Sequence, residues 1–395
     1  MSSHILKLAD SLGSLGTERA FEVLARAKEL ERQGKEVIHL EIGEPDFDTP
    51  AHACAAAYNA MLAGETHYCP SAGILELRET VAEYFSRTRG IPVNPSRVLV
   101  ANGARAFLFF TILATCNPGD EVIYPNPSYP IYESVIRWVG AKPIPLRLRE
   151  EINFAFDLEE FANAITSRTK LIILNSPHNP TGSVLNAEQI SNIGNLIRDS
   201  NAWILSDEIY SQIVYDGQFS SIASDPSLFD RTVVLEGLSK TYAMTGWRCG
   251  FATVPELLVE PLTRFFINSM ACVPPFIQRA GVEVMRGSQS SVMVMLEEFR
   301  SRRDLMVEEL NRIDGISCRV PSGAFYVFPN IQETGWEAEE LAAAMLDEIG
   351  VAVLAGTSFG DAGRYNLRIS YANSEHNLRR ALVLIKQMLT SSKPS

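Results

Sequence analysis

The stretch KLIILNSPHNPTG (residues 170–182) decides the fold class. Its first half is apolar without alternation, which predicts a strand that is buried on both faces. Its second half is a polar turn with two prolines, which ends that strand. Similar short apolar runs lie on both sides of it: RVLVA (97–101), DEVIYP (120–125), AWILSD (202–207) and RTVVLEG (231–237). Such strands, separated by helical patterns, predict an α/β domain with a mostly parallel sheet between helices.

Helical patterns also precede this sheet. A helix is expected over Thr17–Gln33, with Thr17 as its N-cap and Gly34 as its stop signal. Further helices are expected over residues 51–62 and 75–87. The N-terminal third of the chain therefore contributes mostly helices, together with the short apolar strand VIHLEIG.

The C-terminal third has a different character. The pattern is mostly helical from about residue 255 to about Asn311, and a smaller α+β stretch follows, ending in an amphipathic helix. We therefore predict two domains. A large α/β domain covers residues 46–290, and a small α+β domain is formed by residues 1–45 together with 291–395.

The composition excludes several classes of protein. The 395 residues are 46% hydrophobic and 21% charged, and the formal net charge is −12. An acidic chain of this kind argues against a nucleic-acid partner and favours small-molecule ligands. The six cysteines have no CxxC spacing, so neither a disulfide framework nor a metal site is expected. Because no apolar run is long enough for a signal peptide or a membrane span, we expect a cytoplasmic protein without a membrane partner.

The residues that follow the predicted strands are the place to look for a ligand site. After RVLVA, Asn102–Arg105 lead into a helix, and a glycine at such a turn lets backbone N–H groups approach a phosphate. A tight turn alone is the alternative explanation. Tyr129 and Tyr132 follow the next strand and are suited either to stacking on a flat ring or to plain packing. His178 is a candidate ligand or base, with a structural role as the alternative.

Charged side chains follow the last two strands. Asp207 ends AWILSD and, if buried, needs a cationic partner, which a structural salt bridge would also provide. Lys240 and Arg248 follow RTVVLEG, and burial drives a lysine towards its neutral, nucleophilic form. Together with Asn179 and the anion-binding turn, this set suits a flat, phosphorylated, cationic heterocycle bearing a carbonyl. That carbonyl would form a Schiff base with Lys240.

At this point the sequence resembles the class I/II aminotransferases, the aspartate-aminotransferase-like family that binds pyridoxal 5′-phosphate (PLP) and has PLP fold type I. The resemblance runs from GEPDFDTP through YNLRISYA, nearly the whole chain. It is carried by SKTYAMTGWRCG (239–250), NSPHNPTG (175–182), SDEIY (206–210), THYCPSAGILELR (66–78) and PSGAFYVF (321–328).

The resemblance implies roles around the cofactor ring. Lys240 matches the lysine that forms the Schiff base and later moves the proton at the substrate α-carbon. Asp207 matches the partner of the pyridine nitrogen, and Tyr210 matches the donor to the ring hydroxyl oxygen. Asn179 matches the residue that bonds that oxygen and contacts the substrate carboxylate. Tyr129 falls where the family has the aromatic side chain that stacks on the ring.

The resemblance also implies contacts to phosphate and to substrate. Ala104, Arg105 and Arg248 fall at phosphate positions, and Tyr68 matches a tyrosine that reaches the phosphate of the neighbouring subunit. A homodimer with shared active sites is therefore expected. The substrate-binding residues are implied to be Asn179, with Gly43 contributing a backbone contact and Arg368 gripping the α-carboxylate bidentately.

Two positions leave the assignment open. The family often has a phosphate-binding serine three residues before the lysine, where this chain has Gly237, and Ser239 need not replace it. Arg105 matches a basic position of relatives that take dicarboxylates, so it either reads a distal carboxylate or supports the phosphate. Arg19 is a second candidate for a distal carboxylate, with an exposed helix arginine as the alternative.

The resemblance predicts a PLP-dependent aminotransferase that moves the amino group of an L-amino acid to a 2-oxo acid in ping-pong order. The expected acceptor is 2-oxoglutarate. A PLP-dependent lyase or replacement enzyme on the same scaffold is the alternative, because it needs the same residues. A PLP-sensing regulator would carry an N-terminal DNA-binding domain, for which the first 50 residues leave no room. A Rossmann dehydrogenase would need a GxGxxG after its first strand, which LGSLG (12–16) does not supply.

Overall fold

The computed structural model describes residues 7–391. Within this range the helices are α1 (Arg19–Arg32), α2 (Ala51–Leu62), α3 (Leu75–Arg89), α4 (Arg105–Thr115), α5 (Ile131–Trp138), α6 (Leu158–Ala164), α7 (Ala187–Ile197), α8 (Pro226–Phe229), α9 (Leu238–Thr241), α10 (Glu256–Ser269), α11 (Pro275–Arg286), α12 (Ser290–Leu310), α13 (Ala338–Ile349) and α14 (Glu375–Ser391). The strands are β1 (Ile38–His39), β2 (Val98–Ala101), β3 (Glu121–Asn126), β4 (Lys142–Arg149), β5 (Ala155–Phe156), β6 (Thr169–Asn175), β7 (Trp203–Asp207), β8 (Thr232–Gly237), β9 (Gly250–Thr253), β10 (Tyr326–Val327), β11 (Val351–Ala352), β12 (Leu354–Ala355) and β13 (Leu367–Ser370).

Eight of these strands form one sheet in the order β2-β9-β8-β7-β6-β3-β4-β5. The strands from β8 to β4 are parallel, and β9 is antiparallel to both of its neighbours. Because β2 and β8 both run opposite to β9, they point in the same direction. All five strands predicted from the sequence therefore end at the same edge of the sheet. β9 and β4 were not among the predicted strands.

Helices cover both faces of this sheet, as expected. Strand β6 shows why, since its alternate side chains enter two different cores. Leu171 and Ile173 belong to a cluster with Phe107 and Ile112 of α4. Their neighbours Ile172 and Leu174 pack in a separate cluster that includes residues of α7. A strand that is apolar at every position is what such a double-sided environment requires, and the predicted α/β architecture is confirmed.

A smaller α+β part lies beside the large sheet. The antiparallel strands β10-β13-β12 form one sheet, and β1 pairs in parallel with β11. Their core includes Phe299 of α12, Leu341 of α13 and Ile385 of α14. In residues 7–391 no helix has both the length and the apolar character that crossing a membrane requires.

The predicted N-terminal helices are confirmed with small corrections. α2 has the predicted bounds, and α3 extends two residues beyond its predicted end. α1 begins at Arg19, and the residue in the N-cap position is Glu18, so the predicted N-cap Thr17 is wrong. The Thr17 hydroxyl instead donates to the carboxylate of Glu22. Gly34 follows the helix with a φ of 90°, as its stop role requires.

Candidate active site

A cavity of about 940 Å³ lies at the carboxyl ends of the parallel strands. Strand register brings polar side chains together there, since Asn175 of β6 is paired with Asp207 of β7. The N-terminal segment and the small α+β part form the other walls. The cavity is lined by every predicted site residue except Tyr68: Gly43, Ala104, Arg105, Tyr129, Asn179, Asp207, Tyr210, Lys240, Arg248 and Arg368.

Asp207 is the buried acid of the cavity. Its Oδ2 accepts a 2.6 Å hydrogen bond from the Tyr132 hydroxyl, and its Oδ1 accepts a weaker one from the Ile209 N–H. Burial raises the pKa of this carboxyl to about 6, against the lowering effect of the Tyr132 bond. Among residues 7–391 it has no salt bridge, so a structural ion pair is not the explanation for this aspartate. A buried carboxylate in this state is suited to a cationic ligand.

Lys240 lies on the short helix α9, directly after β8. Its Nζ donates to the carbonyl of Gly43, and it lies 6.0 Å from the ring centroid of Tyr210 and 5.8 Å from that of Phe325. The protein surrounds the amine on most sides, and this burial lowers the pKa of Lys240 to about 8. With this pKa roughly a fifth of the amine is neutral near pH 7.4, far more than for an ordinary lysine, and the neutral amine is a nucleophile.

Arg368 of β13 is a buried cation that faces the cavity from the small part. It is 3% exposed, and its guanidinium lies 4.6 Å from the ring centroid of Tyr326. Its Nη1 donates to Asn179 Oδ1 over 3.5 Å, its Nη2 donates to the carbonyl of Glu41, and its Nε has no partner in the described chain. No carboxylate of residues 7–391 pairs with it. A buried guanidinium without a counter-ion is ready for the carboxylate of a ligand.

The turn between β2 and α4 forms the second anion-binding feature. Gly103 has a φ of 92°, and a Cβ there would lie 2.3 Å from Nη2 of Arg248. Ala104 precedes α4 without any side-chain cap. The N–H groups of Ala106 and Phe107 bond to the carbonyls of Gly103 and Ala104, while in residues 7–391 those of Ala104 and Arg105 have no partner and remain available. Behind the turn, a Cβ on Gly250 would lie 2.2 Å from the nitrogen of Ala104. Both glycines are therefore needed for the close approach of this turn to Arg248.

Arg105 has a different environment. Its Nη2 pairs with Oε2 of Glu18 at 2.7 Å, and the Tyr129 hydroxyl donates to the same oxygen over 3.1 Å. The guanidinium carbon lies 5.6 Å from the Tyr129 ring centroid. The structure therefore gives this arginine a carboxylate partner.

Two tyrosines are joined at the back of the cavity. The hydroxyl oxygens of Tyr210 and Tyr326 are 2.7 Å apart. Burial holds the pKa of Tyr210 well above its usual value, so its hydroxyl remains a proton donor. A Cβ on Gly43 would lie 2.1 Å from the hydroxyl oxygen of Tyr326, which explains the glycine at that position.

Several candidates lie outside the cavity. Tyr68 is 91% exposed. His178 is buried and bonded to Thr181, and burial lowers its pKa to about 3, so its imidazole remains neutral. Arg19 pairs with Glu339 on the surface at 2.7 Å, so it is an exposed helix arginine. At Gly237, a Cβ would lie 3.1 Å from the backbone of β9, while Ser239 lines the cavity.

Two residues of the cavity, Glu18 and Tyr326, are not predicted from the sequence. Glu18 lies within the helix predicted over Thr17–Gln33, and no pattern links it to Arg105, which is distant in sequence. A signal for Tyr326 did exist, because alternation along β10 directs it to the side opposite Phe325. Phe325 packs in the core behind Lys240.

The chain has PLP fold type I. Its large, mostly parallel sheet lies between helices, a smaller α+β part lies beside the sheet, and the cavity lies at the carboxyl ends of the strands. The family described as "Aminotransferase class I and II" matches residues 35–385. The chain therefore belongs to the class I and II aminotransferases, and it is a transferase of amino groups. Dependence on PLP is a general property of that family.

Individual relatives cover almost all of the chain. The aspartate aminotransferase of Pyrococcus horikoshii is 38% identical over 376 residues, which are 94% of each chain. The aromatic-amino-acid aminotransferase 2 of Thermococcus litoralis is 38% identical over 361 residues, 90% of this chain and 92% of that protein. The crystal structure of the aspartate aminotransferase from Rhizobium meliloti has a TM-score of 0.93 and 36% identity, covering 98% of this chain and 99% of that one.

Proposed function

We propose that this aminotransferase holds PLP on Lys240 and moves the amino group of an L-amino acid to 2-oxoglutarate in ping-pong order. The observation that carries the proposal is Asp207, a buried carboxylate without a salt bridge in the described chain, in the same cavity as a lysine with a lowered pKa. Asp207 would pair with a protonated pyridine nitrogen of the cofactor, and the amine of Lys240 would hold the cofactor through its aldehyde.

When bound, PLP supplies an aldehyde that links to amines and a ring that withdraws electrons from the substrate α-carbon. The remaining side chains fit such a group. The uncapped start of α4 and Arg248 are suited to its phosphate. The ring of Tyr129 is suited to stacking, and Tyr210 donates to the ring hydroxyl oxygen because its own pKa is raised. Asp207 keeps the ring nitrogen protonated.

The substrate end of the cavity belongs to Arg368 and Asn179. The guanidinium has free donors for a bidentate contact with the α-carboxylate, and Asn179 adds a side-chain amide beside it. Gly43 brings its backbone close to the same carboxylate. Holding the carboxylate fixes which bond of the α-carbon faces Lys240, whose amine takes the proton from that carbon.

The organisation of the protein is part of the proposal. We propose a large domain over 46–290 and a small domain formed by 1–45 with 291–395. A core that joins Ile38 and Leu40 to residues between Met295 and Met388 supports this division, and Tyr210, Ile213 and Tyr215 of the large domain pack against it. Residues 1–6 and 392–395 lie outside the described part. Tyr68 is exposed in a single subunit. In a homodimer it would contact the phosphate in the neighbouring subunit. The acidic chain suits a cytoplasmic enzyme of amino-acid metabolism.

A single half-turnover tests the reaction. The PLP-loaded protein is mixed with each common L-amino acid in the absence of an acceptor, while the cofactor absorbance and the products are followed. We expect the amine form of the cofactor and the 2-oxo acid that matches the amino acid. Release of ammonia or of a side-chain fragment, with the aldehyde form of the cofactor retained, would instead identify the lyase or replacement alternative.

A further inference from the structure

Three arginines line the cavity, and their environments differ. Arg248 and Arg368 have no carboxylate partner among residues 7–391, so both are available for anionic groups of ligands. Arg105 is paired with Glu18 at 2.7 Å. A cavity that binds anions therefore contains one arginine whose charge the protein already neutralises.

Glu18 is held in this position by two independent contacts. The same carboxylate oxygen accepts hydrogen bonds from Arg105 and from the Tyr129 hydroxyl. The Glu18 side chain is 18% exposed, compared with 48% for Arg105. It lies at the N-cap of α1 without bonding to that helix, so the helix start does not require its side chain. The Glu18 carboxylate instead bonds to Arg105 and Tyr129, which line the cavity.

A carboxylate on Arg105 also bears on the choice between the two roles of that arginine. A phosphate dianion bound to Arg105 would share the guanidinium with the carboxylate of Glu18. The two negative groups would then lie close together and repel each other. The uncapped start of α4 and Arg248 offer a phosphate a site without this repulsion. Arg105 is therefore better suited to the side chain of a substrate than to the phosphate.

We propose that Glu18 determines side-chain specificity by competing with a substrate's distal carboxylate for Arg105. A neutral side chain leaves the Glu18–Arg105 pair intact and packs against Phe21 and Leu24, which line the cavity on the same helix. An acidic side chain takes the place of the Glu18 carboxylate on Arg105, and Glu18 turns towards solvent. One cavity thereby accepts both classes of substrate, with a cost for the acidic one. The proposal rests on the proposed aminotransferase function.

Glu18→Gln tests this competition in the PLP-loaded enzyme. The variant removes one negative charge, so we expect KM for L-glutamate and for 2-oxoglutarate to fall about three- to tenfold, with kcat little changed. The kcat/KM for L-phenylalanine should change less than twofold. The dissociation constant of glutarate, a dicarboxylate that cannot react, should fall by the same factor as KM, while that of 3-phenylpropanoate should not. Calorimetric titration measures both constants without turnover.

Two further variants make the test specific. Glu22→Gln removes an exposed carboxylate one turn along α1 that bonds to Thr17, and it should change neither dissociation constant. In the double variant Glu18→Gln/Arg105→Gln, the gain for glutarate should disappear. An equal effect of Glu18→Gln on glutarate and 3-phenylpropanoate, or no effect on glutarate, overturns the proposal. Failure of the half-turnover with every amino acid would instead overturn the proposed function, because glutarate binding is measured independently of it.

Discussion

Replacing Asp207 with asparagine should stabilise the cofactor-free protein while weakening its function. The pKa of Asp207 rises from 3.8 to about 6 because the carboxyl is buried. The folded protein thus holds this proton more tightly than the unfolded chain does, and ionisation costs folding free energy. The cost begins near pH 4, grows as the pH rises to about 6, and is then constant at about 3 kcal/mol. Asparagine is neutral at every pH and still accepts the Tyr132 hydrogen bond.

Urea unfolding of the cofactor-free protein, followed by circular dichroism, measures this cost. Asp207→Asn should raise the free energy of unfolding by up to about 3 kcal/mol at pH 8 and by about half as much at pH 5. Asp314→Asn, which changes an exposed carboxylate, is the matched control and should have no effect. The dependence on pH is decisive, because a gain from packing alone would be the same at both values.

Adding PLP should reverse the order of stability of the wild-type protein and Asp207→Asn. The wild-type protein gains the cation that Asp207 lacks, so PLP should raise its melting temperature more than that of Asp207→Asn. The variant should also transaminate far more slowly. If the cofactor-free variant is no more stable than the wild type at pH 8, or if PLP stabilises both equally, then Asp207 is not an uncompensated carboxylate awaiting a cationic ring.

Three other predictions concern the carboxylate-binding arginine, the lysine and the contact between subunits. Arg368→Lys replaces a bidentate donor with a single ammonium, so KM for both amino and oxo acids should rise about 10- to 100-fold in steady-state kinetics. A smaller rise in KM for both substrates would contradict the role of Arg368 in binding the carboxylate. The rate at which cofactor-free enzyme captures PLP, read by stopped-flow absorbance, should rise with pH through about 8, because only the neutral amine of Lys240 reacts; a flat profile would exclude this. Mixed dimers of Tyr68→Ala and Lys240→Ala subunits should regain activity, since one of their sites has both residues, whereas monomers in light scattering would refute the shared site.

The sequence predicted the large sheet because its strands carry a strong physical signal. KLIILN is apolar at successive positions, and only a strand covered on both faces buries such a run. The same reasoning located Asp207 and Lys240, since residues after parallel strands meet at one edge of the sheet. The functional roles of these residues came from the resemblance, because spacing alone leaves a salt bridge or a solvated lysine open.

Strand β9, the start of α1 and the Glu18–Arg105 pair depend on tertiary contacts that no local sequence pattern predicts. β9 is only four residues long and lies within a motif that reads as a loop, so its antiparallel insertion was not predicted. The prediction of Thr17 as the N-cap was wrong because its hydroxyl bonds to the Glu22 carboxylate rather than to a backbone N–H. Glu18 and Arg105 lie at the starts of α1 and α4 and meet only in the folded chain, and no local pattern encodes such a long-range pair.

The cavity wall has a consequence for how this chain matures. Its members range from Glu18 and Gly43 near the start of the chain to Arg368 near the end, so the site is made of contacts between segments far apart in sequence. During synthesis, β13 emerges after every strand of the large sheet, and the carboxylate-binding arginine is therefore among the last parts to arrive. A growing chain can complete its sheet before it has a complete substrate site. Substrate binding thus reports on the finished molecule, and no N-terminal fragment that lacks β13 should recognise an amino acid.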